Sequence, residues 1–145
     1  MDYTADGRRA LVSCEFSGRM VVLDLVHERI TGSIDLRAGA MPQDVKISPD
    51  GRTFYVADMA SGGVWLIDAR TMRKIRFQKT GSGAHGLYPS RDSKRLFVSN
   101  RGEGSITVIS FRTGRPIAKW HIPGGGSPDM GGVSADGKEI GRAHV

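Results

Sequence analysis

Four aspartates, Asp6, Asp50, Asp92 and Asp136, recur at intervals of 44, 42 and 44 residues, and the sequence around them recurs in step. Six residues after each of the first three stand Val12, Val56 and Val98, and twelve after stand Gly18, Gly62 and Gly104. Seventeen after come Leu23, Ile67 and Ile109, and eighteen after come Asp24, Asp68 and Ser110. Ungapped agreement at several offsets marks three full copies of one unit and the start of a fourth. A fixed period of this length decides architecture before any single motif does.

Each copy reads as strands and turns. A "DGR" or "DSKR" turn, in which Asp can bond the backbone ahead and Gly accepts a positive φ, leads into "RALVSC", "TFYVAD" and "RLFVSN". A glycine-bearing loop precedes the short apolar runs "MVVLDL", "VWLIDA" and "ITVISF", suited to strands buried on both faces. The mixed runs "RITGSIDL", "RKIRFQK" and "RPIAKWHI" fit an outer, half-exposed strand, with "TG" and "RTGR" as hairpin-turn chemistry. Finally "PQDVKIS", "HGLYPS" and "DMGGVS" lead back to the next turn. Four strands repeated every 42 to 44 residues define an all-β chain built of β-propeller blades. Trp65 and Trp120 lie within strands and are read as packing between blades.

Propellers close with about 4 to 8 blades, so about three four-stranded blades make a propeller fragment. Residues 1–138 are read as a partial propeller and "EIGRAHV", residues 139–145, as a non-native tail resembling a translated sequencing adapter. Arg142, preceded by Gly141, stands where the repeat places Val12, Val56 and Val98. The start, "MDYTADG", likewise falls mid-repeat, and the chain reads as a piece of a longer propeller. Open blade faces at both ends predict self-association.

Composition narrows the class. Glycine, at 20 of 145 residues, is about double its ordinary usage, in keeping with many tight turns. No apolar run approaches the roughly 18 residues of a spanning helix, and "MDYTADGRR" has no secretory leader pattern, so membrane insertion is not expected. Cys14 is the sole cysteine. The net charge is +6, with basic residues scattered along the chain. The run "RTMRKIRFQK" alternates Ile75 and Phe77 with Arg76 and Gln78, as an outer strand does, and no aromatic stacking platform accompanies it. Nucleic acid is not expected as a partner.

"FYVAD" and "LFVSN", each after an "SPDGR" or "SRDSKR" turn and before "GGVWLIDARTM" or "GSITVISFRTG", make residues 2–138 resemble the YVTN-repeat β-propeller family of bacteria and archaea. More distant relatives of that family are lactonase-type seven-bladed propellers, haem-binding propellers of nitrite reductases, and secreted propellers that only bind. The resemblance implies a soluble, often exported propeller, and it carries no catalytic residue across. "LVSCE" departs from the signature, with Cys14 where the later copies have Asp58 and Asn100.

Chemistry, if present, belongs to the loops between blades and between the second and third strands of each blade, which share one face around the axis. Gln43, His85 and Asp129 are equivalent positions there, one from each copy. His85, between glycines in "GSGAHGLYPS", offers a ligating or acid–base imidazole, against the plainer reading of a backbone-bonded loop histidine. Asp44 and Asp129 offer oxygen ligands or cap turns beside Pro42 and Pro128, and no metal site is assigned. Asp58 and Asn100 occupy equivalent positions, suited to bonding loop amides, and Arg101 suits a carboxylate or phosphate. No G-x-S-x-G elbow, phosphate loop, H-E-x-x-H or C-x-x-C-H occurs. The chain therefore reads as a non-enzymatic binding or scaffold propeller without a cofactor, engaging a protein, glycan or small molecule through these loops. The alternative is a lactonase-like hydrolase or a haem- or quinone-type redox propeller whose site is completed by further blades.

Overall fold

The computed structural model describes residues 1–141, so Arg142 and most of the segment read as a tail lie outside the described residues. Twelve strands form three antiparallel sheets in sequence order. The first sheet holds β1 (Asp2–Tyr3), β2 (Arg9–Cys14), β3 (Arg19–Asp24) and β4 (Arg29–Asp35). The second holds β5 (Pro42–Ile47), β6 (Thr53–Asp58), β7 (Gly63–Asp68) and β8 (Arg73–Lys79). The third holds β9 (Ala84–Pro89), β10 (Arg95–Asn100), β11 (Ser105–Ser110) and β12 (Arg115–His121). A fourth begins with β13 (Gly132–Val133) paired to β14 (Ile140–Gly141).

The anchoring aspartates build four copies of one turn. Asp50 accepts from the Ser48 hydroxyl at 2.5 Å and the Arg52 amide at 3.1 Å, and Ser48 in turn accepts from the Thr53 amide. Thr4 with Asp6, Ser90 with Asp92 and Ser134 with Asp136 repeat the hydroxyl contact at 2.6 Å. Gly7, Gly51 and Gly137 supply the positive φ, and Ser93 adopts it at 58° in the third copy. The turn between the third and fourth strands differs from expectation in the first sheet. Thr31 and Gly32 lie inside β4, and the reversal is made by residues 25–28, with Glu28 at φ 52°.

Alternation along each strand divides the core. Phe54 and Val56 pack with Leu11, Met20 and Val22 of the first sheet, whereas Tyr55 and Ala57 pack with Leu87, Leu96 and Val98 of the third. The sheets therefore stack face to face, as period-two side chains dictate. Trp65 joins the core between the first and second sheets. Trp120 is 47% exposed, leans on Phe97 of its own sheet at 5.7 Å, and faces the space between the third sheet and the fourth copy. Tyr88, Phe97, Ile106 and Trp120 line a cavity of about 590 Å³ on the outward face of the third sheet, partly covered by β13 and β14.

Main-chain acceptors and amides tie neighbouring sheets. Arg9 donates to the carbonyls of Ala69 and Arg70, Arg76 to Gly114, and Arg91 to Val133 and Ser134. Along the innermost strands, the Asp2 carboxylate accepts from the Ile47 amide at 2.7 Å and Asp44 from the Leu87 amide at 3.0 Å. One irregularity recurs in every sheet. The pairing of third and fourth strands skips Thr31, Ile75 and Ile117, which bulge from β4, β8 and β12.

Candidate functional site at the loop face

The antiparallel order of each sheet places its 2–3 loop and the connection to the next sheet at one end. Residues equivalent in the repeat then come from adjacent sheets at the same height. His85 Nδ1 lies 2.9 Å from Asp129 Oδ1, and Arg101 Nη1 lies 3.6 Å from Asp129 Oδ2. The His85 and Asp129 atoms are buried, and although 2.9 Å is ion-pair range, their alignment is not that of a hydrogen bond and neither has another partner. The pair is thus in contact without being satisfied, and a buried unsatisfied polar group costs about 1–3 kcal/mol. His85 Nε2 makes no hydrogen bond among the described residues.

The supports of this cluster are local. Asp129 is held through its main chain, because its carbonyl accepts from the Tyr88 hydroxyl and from Ser99 Oγ at 2.9 Å. Burial pushes the Tyr88 phenol up, so it remains a donor at neutral pH. Tyr88 lies across Gly86, where any Cβ would collide with the phenol oxygen and the Asp129 carbonyl. The Gly86 amide donates to Ser99 Oγ, closing the group. Arg101 gains its position from Gly83, whose missing Cβ leaves room for the arginine stem. Neither Tyr88 nor Ser99 stands out in the sequence. The usable signal was a glycine two residues before a tyrosine on an inner strand.

The remaining sequence candidates are placed elsewhere. The Gln43 amide donates to the Met41 carbonyl at 3.3 Å, so the member of the equivalent trio from the second sheet bonds its own loop. Asp44 caps no turn. It lies buried in β5, accepting from the Val45 and Leu87 amides and from Lys46 Nζ at 3.1 Å. Asp58 is fully buried and accepts from the amides of Met41 and Ser61, the Ser61 hydroxyl and Trp65 Nε1. Asn100, also fully buried, accepts from Thr80 Oγ1 and donates to Ser105 Oγ and Thr107 Oγ1. These carboxylates and this amide are consumed by the frame. Glu103 is pinned by Lys119 at 2.7 Å and by the Ser82 amide, contacts that hold its carboxyl below the usual range. Among the described residues no three His, Cys, Asp or Glu side chains converge as metal ligands.

Comparison with known proteins places this geometry. The YNCE-like beta-propeller family matches residues 13–144. Hydrazine synthase of Kuenenia stuttgartiensis superposes with a TM-score of 0.83 at 24% identity, covering 95% of this chain and 39% of that one. The structure of U3-55K superposes at 0.72 with 13% identity, covering 83% of this chain and 38% of that one. Both likenesses concern the fold, and the chain spans less than half the length of either. Comparison with curated protein sequences gives no match.

Proposed function

Because the chain belongs to the YNCE-like β-propeller family, we propose that it is a binding propeller without catalytic activity of its own. Its ligand or partner, a protein, a glycan or a small molecule, is held at the loop face by His85, Asp129 and Arg101. One observation carries this reading: the trio is the place where ionisable groups of two adjacent copies meet with bonding capacity left over. Asp44, Asp58 and Asn100 are spent within the frame, which leaves too few free groups to divide nucleophile, base and oxyanion roles among them.

A thermal-shift screen of short peptides, oligosaccharides and small carboxylates tests it. Hits are expected to weaken on the order of tenfold in R101M and D129N, through loss of a charge-assisted contact. Hits indifferent to both substitutions would place binding elsewhere. The second reading, a lactonase-like hydrolase or redox propeller completed by further blades, draws on the same contact, since a carboxylate facing an imidazole can orient it as a base. Lactone hydrolysis abolished by H85Q would favour that reading over the first.

A further inference from the structure

The opposite face of the molecule, formed by the turns, carries cations at positions that the repeat itself fixes. Arg8, Arg52 and Lys94 follow the anchoring turns, two residues after each aspartate. Arg29, Arg73 and Arg115 each open the fourth strand of a sheet. All six are exposed, and among the described residues none makes an ion pair or a side-chain hydrogen bond. Lys138, their counterpart in the fourth copy, lies 3.8 Å from Asp136. Cations spread along the sequence thus recur at two fixed positions of the repeat on this face.

Homologous positions in stacked sheets fall at the same end of each, so the six cations form two rows at the turn end of the sheets. The face also carries carboxylates, which keep their charge: Glu28 is exposed beside Arg29, and Asp68, across the strand pair from Arg73, accepts from the Arg70 and Thr71 amides and the Thr71 hydroxyl. Asp6, Asp50 and Asp92 each hold a hydroxyl and a backbone amide, and Asp24 holds His27 and two amides. Beside Arg8 and Arg29, the turn at residues 25–28 exposes apolar side chains at its tip, Leu25 at 37% and Val26 at 52%. Of the rings at the turns, Phe111 is packed edge-on against Tyr55 at 5.6 Å and the exposed His27 is tied to Asp24 at 2.8 Å, and among the described residues no helix lies on this face to enter a groove.

We propose that this turn face is a docking surface for a bilayer rich in anionic lipid headgroups, with the arginine and lysine rows at the phosphates and Val26 reaching the interface. An array of guanidinium groups flanked by a short apolar tip matches a charged plane better than a grooved polyanion. The loop face, at the other end of the sheets, stays clear for its own ligand.

The test is flotation of the full chain with phosphatidylcholine vesicles, alone or containing phosphatidylglycerol. Partition into the anionic vesicles only is expected, lost once salt shortens the Debye length to about 3 Å. Replacing three exposed arginines, R29Q/R73Q/R115Q, is expected to lower partition about fivefold per cation, on the order of 100-fold in all. V26S should reduce it a few-fold, and R19Q on the loop side should leave it unchanged. Circular dichroism of the triple variant checks that the sheets persist. Equal partition into neutral vesicles, no loss in a folded triple variant, or tighter binding to a DNA duplex than to the anionic vesicles would each overturn the proposal.

Discussion

Asp58 in the second sheet and Asn100 in the third occupy one position of the repeat, are both fully buried, and satisfy the loop beside them with opposite chemistry. The reason lies fifteen residues after each anchoring aspartate. In the second sheet that position is Trp65, whose Nε1 can only donate, and the facing group must accept. In the third it is Thr107, whose hydroxyl already donates to the Thr80 carbonyl and so needs a donor, which the Asn100 amide supplies. In the first sheet it is Val21, which asks for nothing, and Cys14 stands in the place of Asp58 and Asn100. The two positions vary together because a buried polar group without a partner is expensive.

The comparison can be broken most severely at Asp58. Asp58→Ala leaves the indole and loop amides unpaired and should cost about 3 kcal/mol in chemical denaturation, at 1–3 kcal/mol per stranded donor. Burial pushes the Asp58 carboxyl up, but hydrogen bonds from Ser61, Met41 and Trp65 outweigh it and hold it below its ordinary value. A depressed carboxyl contributes stability above its unfolded pKa, near 3.9, and loses it as pH falls through the lower folded value. The wild-type advantage over D58A should therefore shrink in acid.

Asn100→Ala should cost less, about 2 kcal/mol, because its three partners are hydroxyls able to turn toward one another. That cost should be independent of acid, and a pH-dependent difference would show the two positions to be less distinct than their partners imply. Asn100→Asp sharpens the point: a carboxylate cannot donate to Thr107, so the variant should be weaker than wild type at neutral pH and recover as the carboxyl protonates. The smallest effect is expected from Cys14→Asp, a loss of about 1 kcal/mol, since the site is only half buried and Val21 offers the new carboxylate no donor.

How much of this was legible follows from the range over which each interaction acts. The anchoring turns are made by residues within five positions of one another, so "SPDGR" predicted them. The equivalence of His85 and Asp129 was countable from the repeat and puts them on adjacent copies, but the contact itself depends on side-chain direction, since Gln43 at the same position bonds the Met41 carbonyl instead. Asp44 was misread as a turn cap because its partner, the Leu87 amide, lies 43 residues away on the next sheet. The side of the sheet that Trp120 takes follows from β12 alone, whereas its exposure depends on how much of the fourth copy covers that side. The Tyr88 and Ser99 supports depend on where the Asp129 carbonyl ends up, a coordinate that no spacing encodes.

The bulges at Thr31, Ile75 and Ile117 sit at one place in all three outer strands. They interrupt the ladder of free amides and carbonyls that an outer strand would otherwise present, and Pro116 removes one more donor from β12. A foreign strand finds no continuous register to copy there, while the side-chain faces of the sheets remain able to pack. Edge-to-edge pairing is thereby disfavoured, and added copies are directed to stack face to face around the axis.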